Sequence, residues 1–152
     1  VRNMEDYNFV FLTSRLNDND INSKNVEIYE GMWWNNKLSD DAIKTLYKNA
    51  ILTIIPLKKT LQPSGQSVAL QSMCVGTPVL ITKTEGFWDK NKYQDDENIF
   101  FMNQNEVTSW KNRIKNLLSS DRKLIEVSKK GKKLVSENFN QELFISRIKK
   151  II

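Results

Sequence analysis

Five short apolar runs, separated by segments of helical periodicity, constrain the fold of this chain most strongly. They lie at residues 8–14, 26–31, 51–57, 78–82 and 98–102. The central runs are continuously apolar rather than alternating, which is typical of strands that are covered on both faces of a parallel sheet. Alternating strands and helices predict an α/β fold, with a doubly wound parallel sheet of about five strands. The length of 152 residues is typical of one domain.

Two helices are predicted between these strands. Ser39 is placed to cap the first, whose opening turn carries two aspartates, where the helix dipole favours negative charge. The second is expected to begin near Gln66 or Ser67 and to end at Gly76, since glycine is common just past a helix end.

Beyond the fifth strand the sequence predicts only helices, which close the domain. We expect their apolar stripes to be core, because the spacing places each stripe on one helix face. The stripes are Val107, Trp110, Ile114 and Leu117; then Leu124, Val127, Leu134 and Val135, interrupted by Gly131; and finally Ile145, Ile148 and Ile152, in a helix capped by Asn140.

The composition excludes several kinds of chemistry. The chain has no histidine, so histidine is not its acid, base or nucleophile. One cysteine, Cys74, rules out a disulfide framework, and we expect neither a metal nor a cofactor. The longest apolar run is too short to span a bilayer, and no signal peptide is visible, so we expect a cytoplasmic setting. Because the chain begins with Val1, we expect it to be a piece of a longer protein.

The formal charge of +5 is concentrated in the last third of the chain. We expect these lysines and arginines to form the solvated faces of the closing helices. Contact with nucleic-acid phosphates or with an anionic membrane is the alternative. No aromatic residues are interleaved as in an RNA platform, so we expect no nucleic-acid partner and keep nucleic acid only as a minor alternative.

Residues 58–67 follow the third strand and lead into a helix, at the edge where parallel sheets bind ligands. Gly65 has no side chain and lets the backbone approach a ligand closely. The free N–H groups of residues 65–68, with the helix dipole, favour an anion such as phosphate. Ser64 and Ser67 add hydroxyls, and Gln71 lies one turn beyond Ser67, where its amide could bond the two hydroxyls of a ribose. The alternative is that a serine only caps the helix and that Gly65 is a turn residue.

The stretch QPSGQSVALQSMCVGTPVLIT, residues 62–82, followed by EGFWD and ENIFFM, resembles the donor-binding domain of GT-B glycosyltransferases. The resemblance is to the retaining group with a paired-glutamate motif, and it covers most of the chain, with residues 65–79 as its specific part. It implies a Rossmann-like domain over residues 1–152, the C-terminal half of a two-domain enzyme. The partners it implies are a nucleotide-sugar donor, with UDP, GDP or ADP, and an N-terminal acceptor domain outside this chain.

The same resemblance assigns roles to the loop. The backbone of residues 64–67, including Gln66, would hold the diphosphate, and Gln71 would bond the ribose. Gln62 or Pro63 falls where the family has the glutamate that bonds the sugar, so both glutamates are replaced here. A glutamine bonds hydroxyls without the strength of a charge-assisted bond.

Other residues would border the donor. The developing charge on the diphosphate could be stabilised by Lys58 or Lys59, which are equally plausible as solvated loop residues. The nucleotide base would lie against the turns after the first two strands, at Ser14, Arg15, Gly31 and Met32. In the long loop 83–97, Trp88 would edge the cleft or anchor the loop on the core.

The sequence therefore predicts a glycosyltransferase donor-binding domain, in glycan or glycolipid biosynthesis, whose isolated chain is inactive. A peripheral location of the protein at the inner face of the membrane is compatible with the basic tail. The alternatives are a non-catalytic nucleotide-binding or regulatory α/β module and, as a minor one, a basic nucleic-acid-binding domain.

Overall fold

The computed structural model describes residues 4–13, 23–31 and 37–150. Within these ranges the predicted strands and helices are all present, and all five strands are shorter than predicted. The elements are β1 (Phe9–Thr13), β2 (Val26–Glu30), α1 (Asp40–Asn49), β3 (Thr53–Ile55), α2 (Gln66–Val75), β4 (Val79–Thr82), β5 (Phe100–Met102), α3 (Val107–Leu118), α4 (Asp121–Asn138) and α5 (Gln141–Ile148), with a 3-10 turn at Lys90–Lys92. The α/β class with closing helices is confirmed.

The chain divides into two compact units, Val1–Ile43 and Lys44–Ile152. In the first unit, β1 and β2 pair in parallel, with Phe9 opposite Val26. Alternate apolar side chains of these strands, at Val10, Leu12 and Ile28, are exposed. The apolar run 8–14 predicts a short buried strand, and this prediction is wrong for one of the two faces of β1.

In the second unit, β3, β4 and β5 form a parallel sheet in that order. All four residues of β4 and all three of β5 are buried, as continuously apolar strands predict. The carboxyl ends of the three strands lie at one edge of the sheet, and each end leads into a loop there.

The loop after β4 is held on the core by Phe87 rather than by Trp88. Phe87 is 3% exposed and meets the rings of Tyr93 and Phe101 edge to face, with centroids 4.9 and 5.3 Å away. Burial, with a smaller contribution from the charge of Asp89, raises the pKa of Tyr93 to about 12, so its phenol is neutral. Trp88 is 58% exposed, which contradicts the anchoring alternative for this residue.

The helix caps are where the sequence predicts them. The Ser39 hydroxyl accepts from the amide of Ala42 at 3.2 Å, and the Asn140 side chain accepts from the amide of Leu143 at 2.7 Å. Helix α2 ends at Gly76 in the left-handed region, with φ at +91°. None of the helices in the described ranges is both long and apolar enough to cross a membrane.

The closing helices are less buried than their stripes predict. Ile114, Leu117, Leu124, Val127 and Val135 are buried, as expected. The core prediction is wrong for three other stripe members, since Val107, Ile145 and Ile148 are exposed. Ile152 lies outside the described residues.

Helix α4 runs through Gly131, which lies within its apolar stripe as the sequence predicts. Gly131 is buried, and it lies where α4 packs against α2 and against the turn before β5. A Cβ atom at this position would lie 2.8 Å from the backbone oxygen of Asn98 and 3.2 Å from Cε of Met73. The glycine therefore permits a close helix contact that any side chain would prevent.

We expect Gly131→Ala to lower the melting temperature, although alanine favours helix by about 1 kcal/mol over glycine. The overlap involves a backbone carbonyl, and overpacking of this kind costs roughly 1–3 kcal/mol. A net loss of about 1 kcal/mol would lower Tm by roughly 2–4 °C in thermal unfolding of a chain this long. Ser136→Ala, at an exposed position of α4, is the matched control and should not lower Tm. A higher Tm for Gly131→Ala would contradict this account.

Candidate functional site

The N-terminus of α2 lies beyond the carboxyl end of β3 and carries unpaired backbone donors. The helix begins at Gln66, as predicted, and no side chain caps it. Its first internal bond joins the amide of Ala69 to the oxygen of Gly65, at 2.9 Å. Within the described part of the chain, the amides of Gln66, Ser67 and Val68 donate to no protein acceptor. Three unpaired donors thus lie at the positive end of the helix dipole, an arrangement that favours an anion.

Polar side chains surround this terminus on its exposed side. Ser67 and Gln71 are both exposed on α2, one helical turn apart, in agreement with the predicted common face. Gln62 and Pro63 are exposed in the preceding loop, and Ser64 is half-buried. The first turn of α2 contains no acidic residue that would repel an anion.

Gln66 contributes only its backbone to this surface. The residue is 6% exposed, and its side-chain Nε2 donates to the backbone oxygen of Gly86 at 3.2 Å. The amide of Gln66 remains unpaired, so a role of this residue in anion binding rests on that amide.

Lys58 and Lys59 begin the loop and are both exposed. Neither forms an ion pair with any acidic residue in the described ranges. Their ammonium groups are therefore free to attract an anion to this edge of the sheet, where exposed charges act over about 10 Å at ordinary ionic strength.

The structure corrects the physical reason for glycine at position 65. Gly65 has φ at +75°, in the left-handed region that side chains disfavour. A Cβ atom here would lie 2.9 Å from Cγ2 of Ile55 and 3.1 Å from Cδ1 of Ile81, with Leu57 also in contact. The missing side chain thus faces the core, so the expectation that it leaves room for a ligand is wrong.

The residues predicted to border a base are only partly described. Gly31 follows β2, and its amide donates to the oxygen of Thr13 at 3.1 Å, which continues the β1–β2 pairing by one bond. Ser14, Arg15 and Met32 lie outside the described residues.

Gly86, in the loop after β4, is a residue that the sequence analysis missed. Its amide donates to the oxygen of Thr60 at 3.3 Å, and its oxygen accepts from Gln66. A Cβ atom at Gly86 would lie 2.3 Å from the backbone oxygen of Gln62. The loops after β3 and β4 therefore touch through backbone atoms. An isolated Glu-Gly pair in a long loop carries no pattern that would reveal such a contact.

The described residues contain no group of three histidine, cysteine, aspartate or glutamate side chains that could hold a metal ion. The groups around the N-terminus of α2 and in the loop before it are backbone amides, hydroxyls, carboxamides and the ammonium groups of Lys58 and Lys59.

A family model matches residues 22–134, more than half of the chain, and its description is glycosyl transferases group 1. The chain belongs to this family. A comparison with curated proteins found no significant match. The resemblance to GT-B glycosyltransferases is confirmed at the level of family and fold.

Solved structures share the fold of this chain at low sequence identity. Anabaena Alr3699/HepE in complex with UDP superposes with a TM-score of 0.68 at 17% identity, over 84% of this chain and 32% of that one. The C-terminal domain of LpcC from Francisella tularensis, a glycosyl transferase group 1 family protein, gives a TM-score of 0.62 at 19% identity, over 78% of this chain and 55% of that one. Sucrose-phosphate synthase from Thermosynechococcus elongatus gives a TM-score of 0.65 at 18% identity, over 84% of this chain and 29% of that one.

The chain spans about a third of the length of HepE. HepE has also been solved in complex with UDP and glucose and in complex with UDP-glucose.

We expect Gly65→Ala to destabilise the fold rather than to act only on ligand binding. The left-handed backbone costs a non-glycine residue roughly 1–2 kcal/mol. The contact with Ile55 adds to that cost. Chemical denaturation should show a clearly lower free energy of unfolding than for Ser67→Ala, an exposed change two positions later in the first turn of α2. An unchanged free energy of unfolding for Gly65→Ala would contradict the inward direction of the missing side chain.

Proposed function

We propose that this chain is the donor-binding domain of a glycosyltransferase and that it binds the diphosphate of a nucleotide sugar at the N-terminus of α2. The observation that carries the proposal is the set of three unpaired amides, at Gln66, Ser67 and Val68, at the start of that helix, where Ser67 and Val68 are exposed. Membership of the glycosyl transferases group 1 family supports it.

The proposed chemistry is the transfer of a sugar from a nucleoside diphosphate to an acceptor hydroxyl. The bond between the anomeric carbon and the diphosphate oxygen breaks, and negative charge develops on the leaving diphosphate. Donors that are already oriented stabilise such charge most effectively. Here they are the amides of α2, the Ser67 hydroxyl and the ammonium groups of Lys58 and Lys59.

Two neutral carboxamides complete the proposed donor site. Gln71, exposed one turn after Ser67, bonds the ribose hydroxyls, and Gln62 lies on the side of the transferred sugar. Where the family has glutamates, these residues lack the charge that strengthens hydrogen bonds to hydroxyls. We therefore expect the diphosphate to contribute most of the donor affinity.

The donor and the partner domain are inferred from the relatives. Since HepE is solved with UDP and with UDP-glucose, UDP is the first nucleotide to test, followed by GDP and ADP. The chain matches only a third of HepE, which supports a further domain that binds the acceptor. Glycan or glycolipid synthesis is the process that such a transferase would serve.

We expect Gln71→Ala to weaken nucleoside diphosphate binding by about 1 kcal/mol, or roughly fivefold in Kd, the usual worth of one hydrogen bond. Isothermal titration calorimetry with UDP, GDP and ADP measures the change. Because Gln71 is exposed, Tm should not move. Gln141→Ala, at an exposed glutamine on α5, is the control and should leave Kd unchanged. A lower Tm with unchanged Kd would make Gln71 a structural residue.

We expect the 152-residue chain alone to transfer no sugar, because the acceptor site belongs to the further domain. Release of UDP from UDP-glucose, measured with and without candidate acceptor sugars, should stay at the level of a protein-free control. Acceptor-dependent release by this chain alone would contradict the two-domain proposal. UDP binding without transfer, even when the chain is joined to the further domain, would favour a non-catalytic nucleotide-binding module.

A further inference from the structure

We propose that Asn105 is a positioning residue for the donor loop, defined as residues 57–65, and that it controls nucleotide affinity without touching the nucleotide. The inference rests on the proposed function, because it assigns a role in that same site. It rests physically on a set of hydrogen bonds that joins the ends of β3, β4 and β5.

The donor loop begins at Leu57, and side chains from two other strand ends hold both polar groups of its backbone. The amide of Leu57 donates to Oγ1 of Thr82, the last residue of β4, at 2.9 Å. The oxygen of Leu57 accepts from Nδ2 of Asn105, which follows β5, at 2.6 Å. The first residue of the loop is thus fixed from both sides by residues 25 and 48 positions away in the chain.

The two side chains that hold Leu57 are bonded to each other. Thr82 Oγ1 donates to Oδ1 of Asn105 at 3.3 Å, and the same oxygen accepts from Nε1 of Trp110 at 3.3 Å. Trp110 belongs to α3, so Asn105 is itself oriented by a helix. Each polar group of the Asn105 carboxamide has a defined partner, which fixes its rotamer and its amide orientation.

The far end of the donor loop is held independently through Gly86. The amide of Gly86 bonds the oxygen of Thr60, and its oxygen accepts from Gln66 at the start of α2. Lys58 and Lys59, both exposed, lie between Leu57 and Thr60. The placement of these two lysines relative to the amides of α2 therefore depends on where Leu57 is held.

Asn105 is exposed, and its side chain fills no core position. Water can replace its bonds in a variant, so the cost to the fold is modest. The loss of ligand affinity is larger than the loss of stability, because the variant has to order a mobile loop when the ligand binds. This difference separates a positioning role from a merely structural one.

The test compares Asn105→Ala with Gln104→Ala, an exposed neighbour that makes no bond to the donor loop. UDP is the probe, with GDP and ADP as further probes, and Kd is measured by calorimetry. We expect Asn105→Ala to raise Kd by about three- to tenfold, the range expected from losing the one hydrogen bond that Asn105 makes to the donor loop. Gln104→Ala should leave Kd unchanged. Amide hydrogen exchange of residues 57–64 should become faster in Asn105→Ala only.

A pair of changes at Thr82 provides the rescue experiment. Thr82→Val keeps the shape and removes the hydroxyl, so it should weaken UDP binding as Asn105→Ala does. Thr82→Ser keeps the hydroxyl and should retain most of the affinity, although it also alters the packing of a buried residue. Ser128→Ala, which removes a bond from α4 to the oxygen of Gly76 at the other end of α2, controls for general loss of stability.

The outcomes separate the two levels of the proposal. If the unmodified chain binds none of the three nucleotides, the proposed function is wrong. If it binds UDP and Asn105→Ala binds equally well, the positioning role is overturned. Equal losses of affinity in Asn105→Ala and Ser128→Ala, with equal losses of Tm, would also overturn it, because Asn105 would then act only through stability.

Discussion

The parallel pairing of β3, β4 and β5 is the constraint on which the candidate site depends. Because the three strands run in one direction, their carboxyl ends and the loops that follow meet at one edge. The buried residues of β4 and β5 fix this sheet in the core, and α2 starts at the same edge. A shift in this pairing would separate Leu57, Thr82 and Asn105 and break the hydrogen bonds that hold the donor loop.

The proposed site uses backbone groups where many enzymes use charged side chains. Helix α2 has three unpaired amides at its start. The two glycines next to them, Gly65 and Gly86, are required by the backbone geometry. Gly65 adopts a left-handed conformation in which a Cβ atom would meet Ile55 and Ile81. Gly86 allows the loops after β3 and β4 to touch. Neither glycine contributes a side chain to the proposed site, whose donors are amides, hydroxyls, carboxamides and the ammonium groups of Lys58 and Lys59. Such a surface suits a diphosphate, whose charge needs many oriented donors.

Local patterns in the sequence are sufficient to predict most of the fold. Continuous apolar runs predicted the strands, and glycine with capping residues predicted the limits of α2 and the caps at Ser39 and Asn140. The start of α2 at Gln66, and hence the location of the unpaired amides, was predictable for the same reason. These signals depend on neighbours within a few residues, which a single sequence displays directly.

Contacts between distant residues could not be predicted in this way. The direction of the missing Gly65 side chain depends on Ile55 and Ile81, and the role of Asn105 depends on Leu57, 48 positions earlier. Phe87 and Trp88 are adjacent aromatics in one loop, and only the packing of Tyr93 and Phe101 shows which is buried. Ile145 and Ile148 of α5 have helical spacing but are exposed, since periodicity shows that an apolar face exists and not that it is covered.

The central claim is that the exposed start of α2 binds a nucleoside diphosphate through its backbone. An NMR titration of the ¹⁵N-labelled chain with UDP tests it directly, since each amide reports separately. The account predicts that the largest saturable shifts are those of Gln66, Ser67 and Val68, and that the amides of α5 do not move. Saturable UDP binding whose shifts leave these three amides unchanged would contradict it.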